Sequence, residues 1–504
     1  MATKKLYQTA ALVTALSIVE RFLGFLYRIV LSRTIKETGM GLYQIALSLF
    51  AVLVTVTSSG IPITLSRMIT KHRAENNLRG ERSSVTAGIL LSLAFSVPVF
   101  LFFIFFHDSL GFLFSDKNAE SLFLIMLFGL VFNSVYAVLR GSFWGNKQFL
   151  AYSLIELVEE AVMITVGTAL VLRATDVLSG AKRAALAVVV SYVCSFAIAL
   201  IYFFVKGGRL SSPRREFRPL FSSSMPITAM RTSTSLINSL VAVLLPARLM
   251  SCGMTSERAL AEFGVAFGMA IPVLFIPSTL IGSFSLVLVP ELSENFYKQR
   301  HGALKKDIEN ALTLTIAIAC LMIPFLFVLG KDAGFLLYGS EKAGEMISYS
   351  CLMLLPMSVS MITTSMLNSL QLEKQTLLNY LLGAAALLLC LWFLPQAIGV
   401  YALTVGMCAN FTLSCALDLI LLHKKCVQKP KYLAFLFKAC LFSLLMCLSG
   451  TLYYDLSLKL FSYPFALAAT LLSMGLTALL LSLLLDLIPR AQLKKLFKKK
   501  QFIY

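Results

Sequence analysis

The sequence predicts an all-α polytopic membrane protein with about 14 transmembrane helices. Of its 504 residues, 58% are hydrophobic and only 14% are charged, whereas an average soluble protein has roughly 25% charged residues. The apolar residues form continuous runs of about 20 or more, the length that spans a bilayer as a helix. Because the runs are continuous and do not alternate with polar residues, they indicate helices. They occupy nearly the whole chain and leave no room for a soluble domain.

Fourteen spans follow one another along the chain. The first, residues 8–32, is expected to be an uncleaved span, because it is long, contains charged residues and is followed by no small-residue cleavage site. The second should be kinked at Ser59-Gly60-Ile61-Pro62, where Gly and Pro loosen the helix. The remaining expected spans are 40–68, 84–106, 121–139, 149–172, 184–205, 219–247, 260–289, 308–330, 346–370, 376–395, 398–422, 433–453 and 462–488.

The basic residues predict the orientation of the chain. If the N-terminus is cytoplasmic, the cytoplasmic segments contain 28 Lys and Arg residues and the outer loops contain 11. This excess predicts that both termini are cytoplasmic. The net charge of +19 is therefore mainly a topology signal, and a nucleic-acid partner is not expected. The tail from Arg490 to Lys500 is expected to contact anionic membrane lipids, and the sequence indicates no particular protein partner.

Two similar segments indicate an internal repeat. LRGSFWGNKQFLAY, from Leu139, aligns with LNSLQLEKQTLLNY, from Leu367, and each segment joins two spans through a short polar turn. The expected domains are an N-lobe at 1–207 with six spans, a C-lobe at 208–424 with six spans, two extra helices within 425–488 and a basic cytoplasmic tail at 489–504. Two parallel six-helix lobes around a central cavity are a transporter architecture.

A polar stripe on the first span is the main candidate binding site. Thr14, Ser17, Arg21, Gly24 and Arg28 are three or four residues apart and therefore share one helix face. Charges at bilayer depth usually face a bundle interior or a wet cavity. Arginine suits phosphate because its planar guanidinium donates bidentate hydrogen bonds and stays charged. The stripe predicts an anionic ligand, although a structural salt bridge, or snorkelling of the outer arginine to the interface, would also explain it.

Two further arginines are candidate ligands for the same anion. Arg67 ends the second span after the kink, and Arg231 begins span seven beside Thr232 and Asn238, where a wet face is plausible. An ordinary arginine at the end of a span is the alternative for Arg67. The candidate substrate-binding residues are thus Arg21, Gly24, Arg28, Arg67 and Arg231.

An acidic cluster in span five is the candidate for ion coupling. Glu156 and Glu160 are four residues apart on one face, and Glu159 lies beside them. Neighbouring carboxylates in a low-dielectric site disfavour each other's ionisation, so at least one is expected to be protonated. This would suit coupling to protons or sodium. Pairing with membrane arginines is the alternative.

Other kinds of site are not indicated. The ten cysteines are scattered and form no C-x-x-C pair, so neither disulfides nor a metal site is expected. The chain contains no P-loop, G-x-S-x-G or H-E-x-x-H motif, and we expect a protein that is not an enzyme and holds no cofactor. Asp418 and Lys438 are expected at the membrane interface.

The first two spans resemble a known family. The matching pieces are R-x-L-G-F-x-x-R from Arg21, G-M-G-L-Y-Q from Gly39 and S-S-G-I-P from Ser58, followed in the second half by L-V-P-E-L-S-E from Leu288. The chain resembles the MurJ/SpoVB-type branch of the multidrug/oligosaccharidyl-lipid/polysaccharide (MOP) exporter superfamily, and the resemblance covers essentially the whole chain.

The resemblance implies a flippase of the bacterial plasma membrane that moves undecaprenyl-pyrophosphate-linked sugars, such as lipid II, to the outer leaflet by alternating access. The product would serve peptidoglycan or another envelope polysaccharide, in vegetative growth or in sporulation. In the family, basic residues of a central cavity meet the pyrophosphate, and Arg21 and Arg28 match that motif. Sodium-linked relatives use an acidic residue in span seven, where this chain has Arg231 and Asn238.

Two other functions stay open. A multidrug cation antiporter of the same superfamily is the first, although cationic drugs favour carboxylates over a row of arginines. A membrane-embedded glycosyltransferase is the second, although such enzymes usually need sizeable outer loops, and the outer loop at residues 107–120 is only about 14 residues long.

Overall fold

The structure, a computed structural model, describes residues 2–106, 116–213, 215–426 and 431–485, together with positions 111, 114, 429 and 487. These residues are almost entirely helical and contain no strand. The predicted basic tail at 489–504 lies outside them. The helices are α1 (Ala2–Ser58), α2 (Ile61–Ala74), α3 (Leu78–Phe105), α4 (Lys117–Gly145), α5 (Phe149–Val171), α6 (Val177–Val205), α7 (Phe217–Ser251), α8 (Ser256–Phe263), α9 (Ile271–Tyr297), α10 (His301–Tyr338), α11 (Glu341–Ser350), α12 (Leu354–Ser369), α13 (Glu373–Phe393), α14 (Pro395–Ile398), α15 (Tyr401–Lys425), α16 (Leu433–Leu460) and α17 (Tyr463–Leu484).

The predicted fold class is confirmed, and the number of spans is approximate. Twelve helical stretches among the described residues are long and apolar enough to cross a membrane. One of them, Ala15–Ala74, has 60 residues and would be about 90 Å long, three times the hydrocarbon core of about 30 Å. It therefore includes residues 15–32 of the first predicted span and all of the second, 40–68. α5 is not among the twelve because it contains three glutamates, although it coincides with predicted span five.

The α1 helix is interrupted between its two predicted spans. Lys36 has φ 55° and ψ −170°, which is outside the helical region and uncommon for a residue other than glycine. The helix that precedes Lys36 contains the arginine stripe, and the helix that follows it runs to Ser58.

The predicted kink at Gly60 is confirmed. α1 ends at Ser58 and α2 begins at Ile61, with Pro62 in its first turn. The backbone N–H of Gly60 donates to Thr228 Oγ1 of α7 at 3.2 Å, and a Cβ on Gly60 would lie 2.3 Å from the Ser224 carbonyl oxygen. Glycine is thus required for the close approach of this bend to α7.

The described residues up to Met269 form a compact unit, called unit 1 below, and the described residues from Ala270 onward form a second, called unit 2. In unit 1, α1 packs against α4, α5, α6 and α7, and α4 and α5 both pack against α6. One core cluster of unit 1 includes the buried side chains of Leu65, Tyr136 and Phe143. The predicted lobes, 1–207 and 208–424, were defined by the sequence repeat and not by contacts in the structure, so their boundaries remain a prediction.

In unit 2, α10 anchors the last two helices. α10 packs against α11 and α16, and α16 packs against α17. The buried carboxylate of Asp332 on α10 accepts hydrogen bonds at Oδ1 from Tyr454 of α16 at 3.1 Å and from Tyr463 of α17 at 2.7 Å. One acidic residue therefore links three helices.

Asp418, which was expected near the cytoplasmic end of its span, is buried between helices. This side chain is 1% exposed. Its Oδ1 accepts a hydrogen bond from Asn379 at 2.8 Å, and its Oδ2 accepts from Thr364 at 3.0 Å and from Thr363 at 3.3 Å. Donors on α12 and α13 thus replace water around this carboxylate of α15, which is how a buried polar group is tolerated.

The turns between helices support the repeat but change its register. Residues with positive φ end the turns at Asn76 and Lys147 in unit 1 and at Gln299 and Gln371 in unit 2. Asn76 and Gln299 are 223 positions apart, and Lys147 and Gln371 are 224 positions apart. The alignment of Leu139 with Leu367 implies 228. The aligned letters are therefore about one helical turn out of the register that the turns indicate.

Candidate functional site

The arginine stripe lies on α1, within unit 1. Arg21 is exposed, whereas Gly24 and Arg28 are half-buried beside the buried side chain of Tyr27. Neither arginine forms an ion pair with any of the described residues. The two guanidinium groups belong to residues two helical turns, or about 10 Å, apart along the axis. The predicted stripe thus consists of two arginines without a carboxylate at ion-pair distance. The side chain of Thr14 lies outside the described residues.

Gly24 brings the stripe against the acidic cluster. A Cβ at Gly24 would lie 2.8 Å from Glu160 Oε1 and 3.7 Å from its Cδ. Glycine therefore provides the space into which the Glu160 carboxyl fits, between α1 and α5. Glu160 also interacts electrostatically with Glu20 and Arg28 of α1. The sequence placed Gly24 on the ligand face, and the structure places it against a glutamate.

The three glutamates of α5 have different surroundings. Glu156 Oε1 accepts from Arg140 Nη1 of α4 at 3.5 Å. Glu160 fills the space beside Gly24. Glu159 has no ion pair within the described part of the chain, and its Oε2 is buried there without a hydrogen-bond partner. The alternative of pairing with an arginine thus applies to Glu156.

Groups around Glu159 come from three helices. Its carboxyl interacts with Ser195 of α6, with Glu156 and Glu160 of its own helix, and with Arg140 of α4. It also interacts electrostatically with Tyr136 and Tyr192. The hydroxyl group of Tyr136 is likewise buried without a hydrogen-bond partner among the described residues. A buried carboxyl group and an unpaired hydroxyl group thus occupy the same region of unit 1.

Arg140 is a member of the site that the sequence did not indicate. The predicted fourth span ended at residue 139, so Arg140 was assigned to a cytoplasmic loop, but α4 continues to Gly145. Its guanidinium carbon lies 5.4 Å from the ring centroid of Trp144, in the range of a cation–π interaction. One signal was available, because Trp144 lies four positions after Arg140 and would share its face if the helix continued.

Arg231 approaches this group from α7. It is exposed and interacts electrostatically with Arg140. Two neighbouring guanidinium groups repel each other, and an anion between them would relieve the repulsion. Three of the four predicted arginines, Arg21, Arg28 and Arg231, are therefore linked to one set of charged groups in unit 1.

Arg67 is the exception. It is exposed on α2, and no hydrogen bond or ion pair within the described ranges links it to the other arginines. Its predicted role remains a prediction. The same ranges contain no cluster of His, Cys, Asp and Glu suited to a metal ion.

The site contains four arginines and four glutamates if Glu20 is included: Arg21, Arg28, Arg140, Arg231, Glu20, Glu156, Glu159 and Glu160. Its net charge therefore depends on how many carboxyl groups are protonated or bound to a cation. With the carboxyl groups neutralised, the arginines attract an anion.

Sequence comparison identifies the family. Residues 6–296 match the family described as "Polysaccharide biosynthesis protein". The chain is 26% identical over 409 residues to Stage V sporulation protein B of Bacillus subtilis, with 76% of each chain covered. It is 20% identical over 421 residues to Lipid II flippase MurJ of the same organism, again with 76% of each chain covered.

Solved structures agree with this assignment at the level of the fold. A structure described as "Lipid II flippase MurJ, inward closed conformation" has a TM-score of 0.74 at 15% identity, and the match covers 94% of this chain and 98% of that chain. An inward-facing multidrug resistance MATE family transporter of the MOP superfamily has a TM-score of 0.65 at 14% identity, covering 80% of this chain and 93% of that chain. The resemblance to the MurJ/SpoVB branch of the MOP superfamily is confirmed, and the chain belongs to the polysaccharide biosynthesis protein family.

Proposed function

We propose that this membrane protein is a flippase that moves an undecaprenyl-pyrophosphate-linked sugar across the bacterial plasma membrane by alternating access. Lipid II or a related polysaccharide precursor would be the substrate, and the product would serve cell-wall synthesis, either in vegetative growth or in sporulation. The observation that supports the proposal best is the pair Arg21 and Arg28, which lie in a membrane helix without an ion-pair partner among the described residues.

The chemistry of the head group explains why arginines are suitable. A pyrophosphate carries several negative oxygens, and a guanidinium group can donate two parallel hydrogen bonds to them. Arginine also remains charged when it is removed from bulk water. The α1 arginines would hold the pyrophosphate, with Arg231 contributing from α7, and Arg67 stays a candidate ligand on α2.

The glutamates would tune this binding. An ionised carboxylate beside the arginines weakens their attraction for an anion, so protonation or sodium binding in the cluster would strengthen head-group binding. Glu156, Glu159 and Glu160 are all candidates for ion coupling. Glu159 is the strongest of them, because Arg140 already neutralises Glu156 and Glu160 is confined beside Gly24.

Translocation of fluorescent lipid II in proteoliposomes of the purified protein tests the proposal. Wild-type protein should move the lipid between leaflets, and an imposed proton or sodium gradient should change the rate if coupling exists. The variant Glu159→Gln, which mimics a protonated carboxyl group, should abolish the response to that gradient, and Asp176→Asn in the α5–α6 turn serves as a matched acidic control. If lipid II does not move under any gradient, this substrate is wrong and other undecaprenyl-linked glycans are next.

A multidrug cation antiporter is the second candidate function. The α5 glutamates favour it, since an ionised cluster could receive a cationic drug, and MATE transporters share the fold. Uptake of a cationic dye into the same proteoliposomes discriminates between the two candidates. Dye transport that lipid II does not inhibit would support the antiporter and count against the flippase.

A further inference from the structure

Unit 1 contains a second cationic pocket that shares no residue with the arginine site. Its cavity volume is about 180 Å³, smaller than the roughly 300–1,000 Å³ of drug-sized ligand sites, so it has room only for a compact group. The walls lie around three turns of the chain. The end of α2 and the start of α3 flank the first turn, the second turn joins α4 to α5, and the third follows α6. All three turns lie at the end of unit 1 that the distribution of basic residues predicts to be cytoplasmic.

The lining of this pocket carries a positive charge. Arg73, Arg82, Lys206 and Arg209 line it, and Glu81 is the single carboxylate among its described lining residues. Arg73 forms an ion pair with Glu81, with 3.5 Å between Nε and Oε2. The other three cations have no ion pair with any described residue. The pocket therefore has a net charge of +3 at neutral pH.

The arrangement of these cations favours one compact anion over scattered counterions. Arg82 is half-buried on the first turns of α3, and Lys206 lies directly after α6 with its Nζ 5.7 Å from the Tyr202 ring centroid. Arg82 and Lys206 thus line the pocket from two different helical segments, α3 and the turn after α6. The amides of Asn146 and Gln148 also line it. Phosphate and pyrophosphate groups match such a set, because they offer several charged acceptor oxygens within a small volume.

The N-termini of two helices add to the positive potential. α3 begins at Leu78 and α5 begins at Phe149, next to lining residues. Helix N-termini carry a partial positive charge and free N–H groups, both of which favour phosphate. The C-termini of α4 and α6, which carry a partial negative charge, oppose this effect in part. The three unpaired cations make the electrostatic potential of the pocket positive.

We propose that this pocket binds a phosphate or pyrophosphate group at the cytoplasmic end of unit 1. The proposal goes beyond the proposed function, because it concerns an anion site outside the membrane stripe. The group could belong to a soluble phosphate compound or to the head group of an anionic lipid, and the chemistry of recognition is the same in both cases. Solvation of the basic loops, without a ligand, is the ordinary alternative.

The test uses the full-length protein in phosphatidylcholine nanodiscs at constant ionic strength. The variant Arg21→Ala/Arg28→Ala/Arg67→Ala/Arg231→Ala provides the background, because it removes every arginine to which the proposed function assigns the head group. Binding of inorganic pyrophosphate is measured by calorimetry. For the lipid source, retention of phosphatidylglycerol is measured by native mass spectrometry after reconstitution in mixed nanodiscs.

In this background, Arg82→Gln/Lys206→Gln should weaken binding of at least one of the two probes by roughly tenfold or more, since each basic residue contributes a separate attraction to the phosphate. Arg173→Gln, at the far end of α5, is the matched control and should change neither. Lys206→Gln alone, on an exposed side chain, keeps the test valid if the double variant does not fold, and should weaken binding by about threefold.

Loss of pyrophosphate binding identifies a soluble phosphate compound, and loss of phosphatidylglycerol alone identifies a lipid head group. The proposal is overturned if neither probe binds in the background, or if both bind equally well after the Arg82 and Lys206 substitutions.

Discussion

Replacing Gly24 by alanine should change the transport activity of the protein while leaving the stability of unit 1 nearly unchanged. A Cβ at this position would lie 2.8 Å from Glu160 Oε1, closer than the ordinary contact distance of about 3.5 Å. The Glu160 carboxyl is the far end of a flexible side chain, so it can give way by several tenths of an ångström. The α1 backbone would stay in place, and the carboxyl would lose its position beside Arg28.

The expected stability change is small. Moving Glu160 off its preferred rotamer costs about 0.5–1.5 kcal/mol, and replacing Gly by Ala within a helix contributes about 0.8–1.0 kcal/mol in the opposite direction. The free energy of unfolding should therefore change by less than about 1 kcal/mol, or by a few degrees in Tm. A change of about 1 kcal/mol in the interaction between Glu160 and Arg28 would alter head-group affinity about fivefold.

The assay pairs thermal unfolding with lipid II translocation for Gly24→Ala and Gly167→Ala. Gly167 faces α1 from α5, and its added Cβ would lie 2.1 Å from the hydroxyl oxygen of Tyr27 and 2.7 Å from the ring carbon Cζ. Because Tyr27 is only 2% exposed, this variant should lose about 1–3 kcal/mol of stability. Gly24→Ala should instead keep its Tm within a few degrees and change the rate of lipid II translocation by about fivefold. A Tm loss equal to that of Gly167→Ala, or unchanged translocation, would refute the reasoning.

Three further substitutions test the packing and the charges. Glu156→Gln should cost about 1–3 kcal/mol because Arg140 loses a half-buried partner, and Glu156→Gln/Arg140→Gln should recover part of the loss; additive effects in the double-mutant cycle would contradict the pairing. Gly60→Ala should cost about 2 kcal/mol or more, because its Cβ would lie 2.3 Å from the Ser224 carbonyl oxygen; a wild-type Tm would contradict the close approach of this bend to α7. Asp418→Ala should cost about 2–5 kcal/mol, because it leaves buried donors on α12 and α13 without an acceptor; unchanged thermal unfolding in nanodiscs would show that these hydrogen bonds do not stabilise unit 2.

The sequence was sufficient for the fold because a bilayer constrains it strongly. Apolar runs of spanning length predict helices with little ambiguity, and the kink at Gly60 followed from glycine and proline. The break at Lys36 could not be predicted in the same way, because lysine has no special preference for a positive φ. The repeat register failed for the same reason: Lys147 and Gln371 mark equivalent turns, but their side chains differ.

Those features of the candidate site that depend on helical spacing were predictable from the sequence. Those that depend on tertiary contacts were not. Spacing placed Arg21, Gly24 and Arg28 on one face of α1. It could not show that Gly24 abuts Glu160, because that contact joins helices far apart in sequence. Arg140 was missed because the predicted span ended at residue 139, six residues before the end of α4. The burial of Asp418 was not predicted, because its hydrogen-bond donors come from two other helices.

The central claim is that the α1 arginines hold the pyrophosphate during translocation. The most direct test measures the rate of lipid II movement in proteoliposomes for three variants: Arg21→Ala, Arg21→Lys and Arg173→Ala. Arg173 is an exposed arginine beyond the end of α5 and is the matched control. We expect Arg173→Ala to move lipid II at the wild-type rate. Arg21→Lys keeps the charge but loses the bidentate geometry, so it should move lipid II more slowly. Arg21→Ala should move no lipid II although its Tm is unchanged. Normal movement of lipid II by folded Arg21→Ala would contradict the claim.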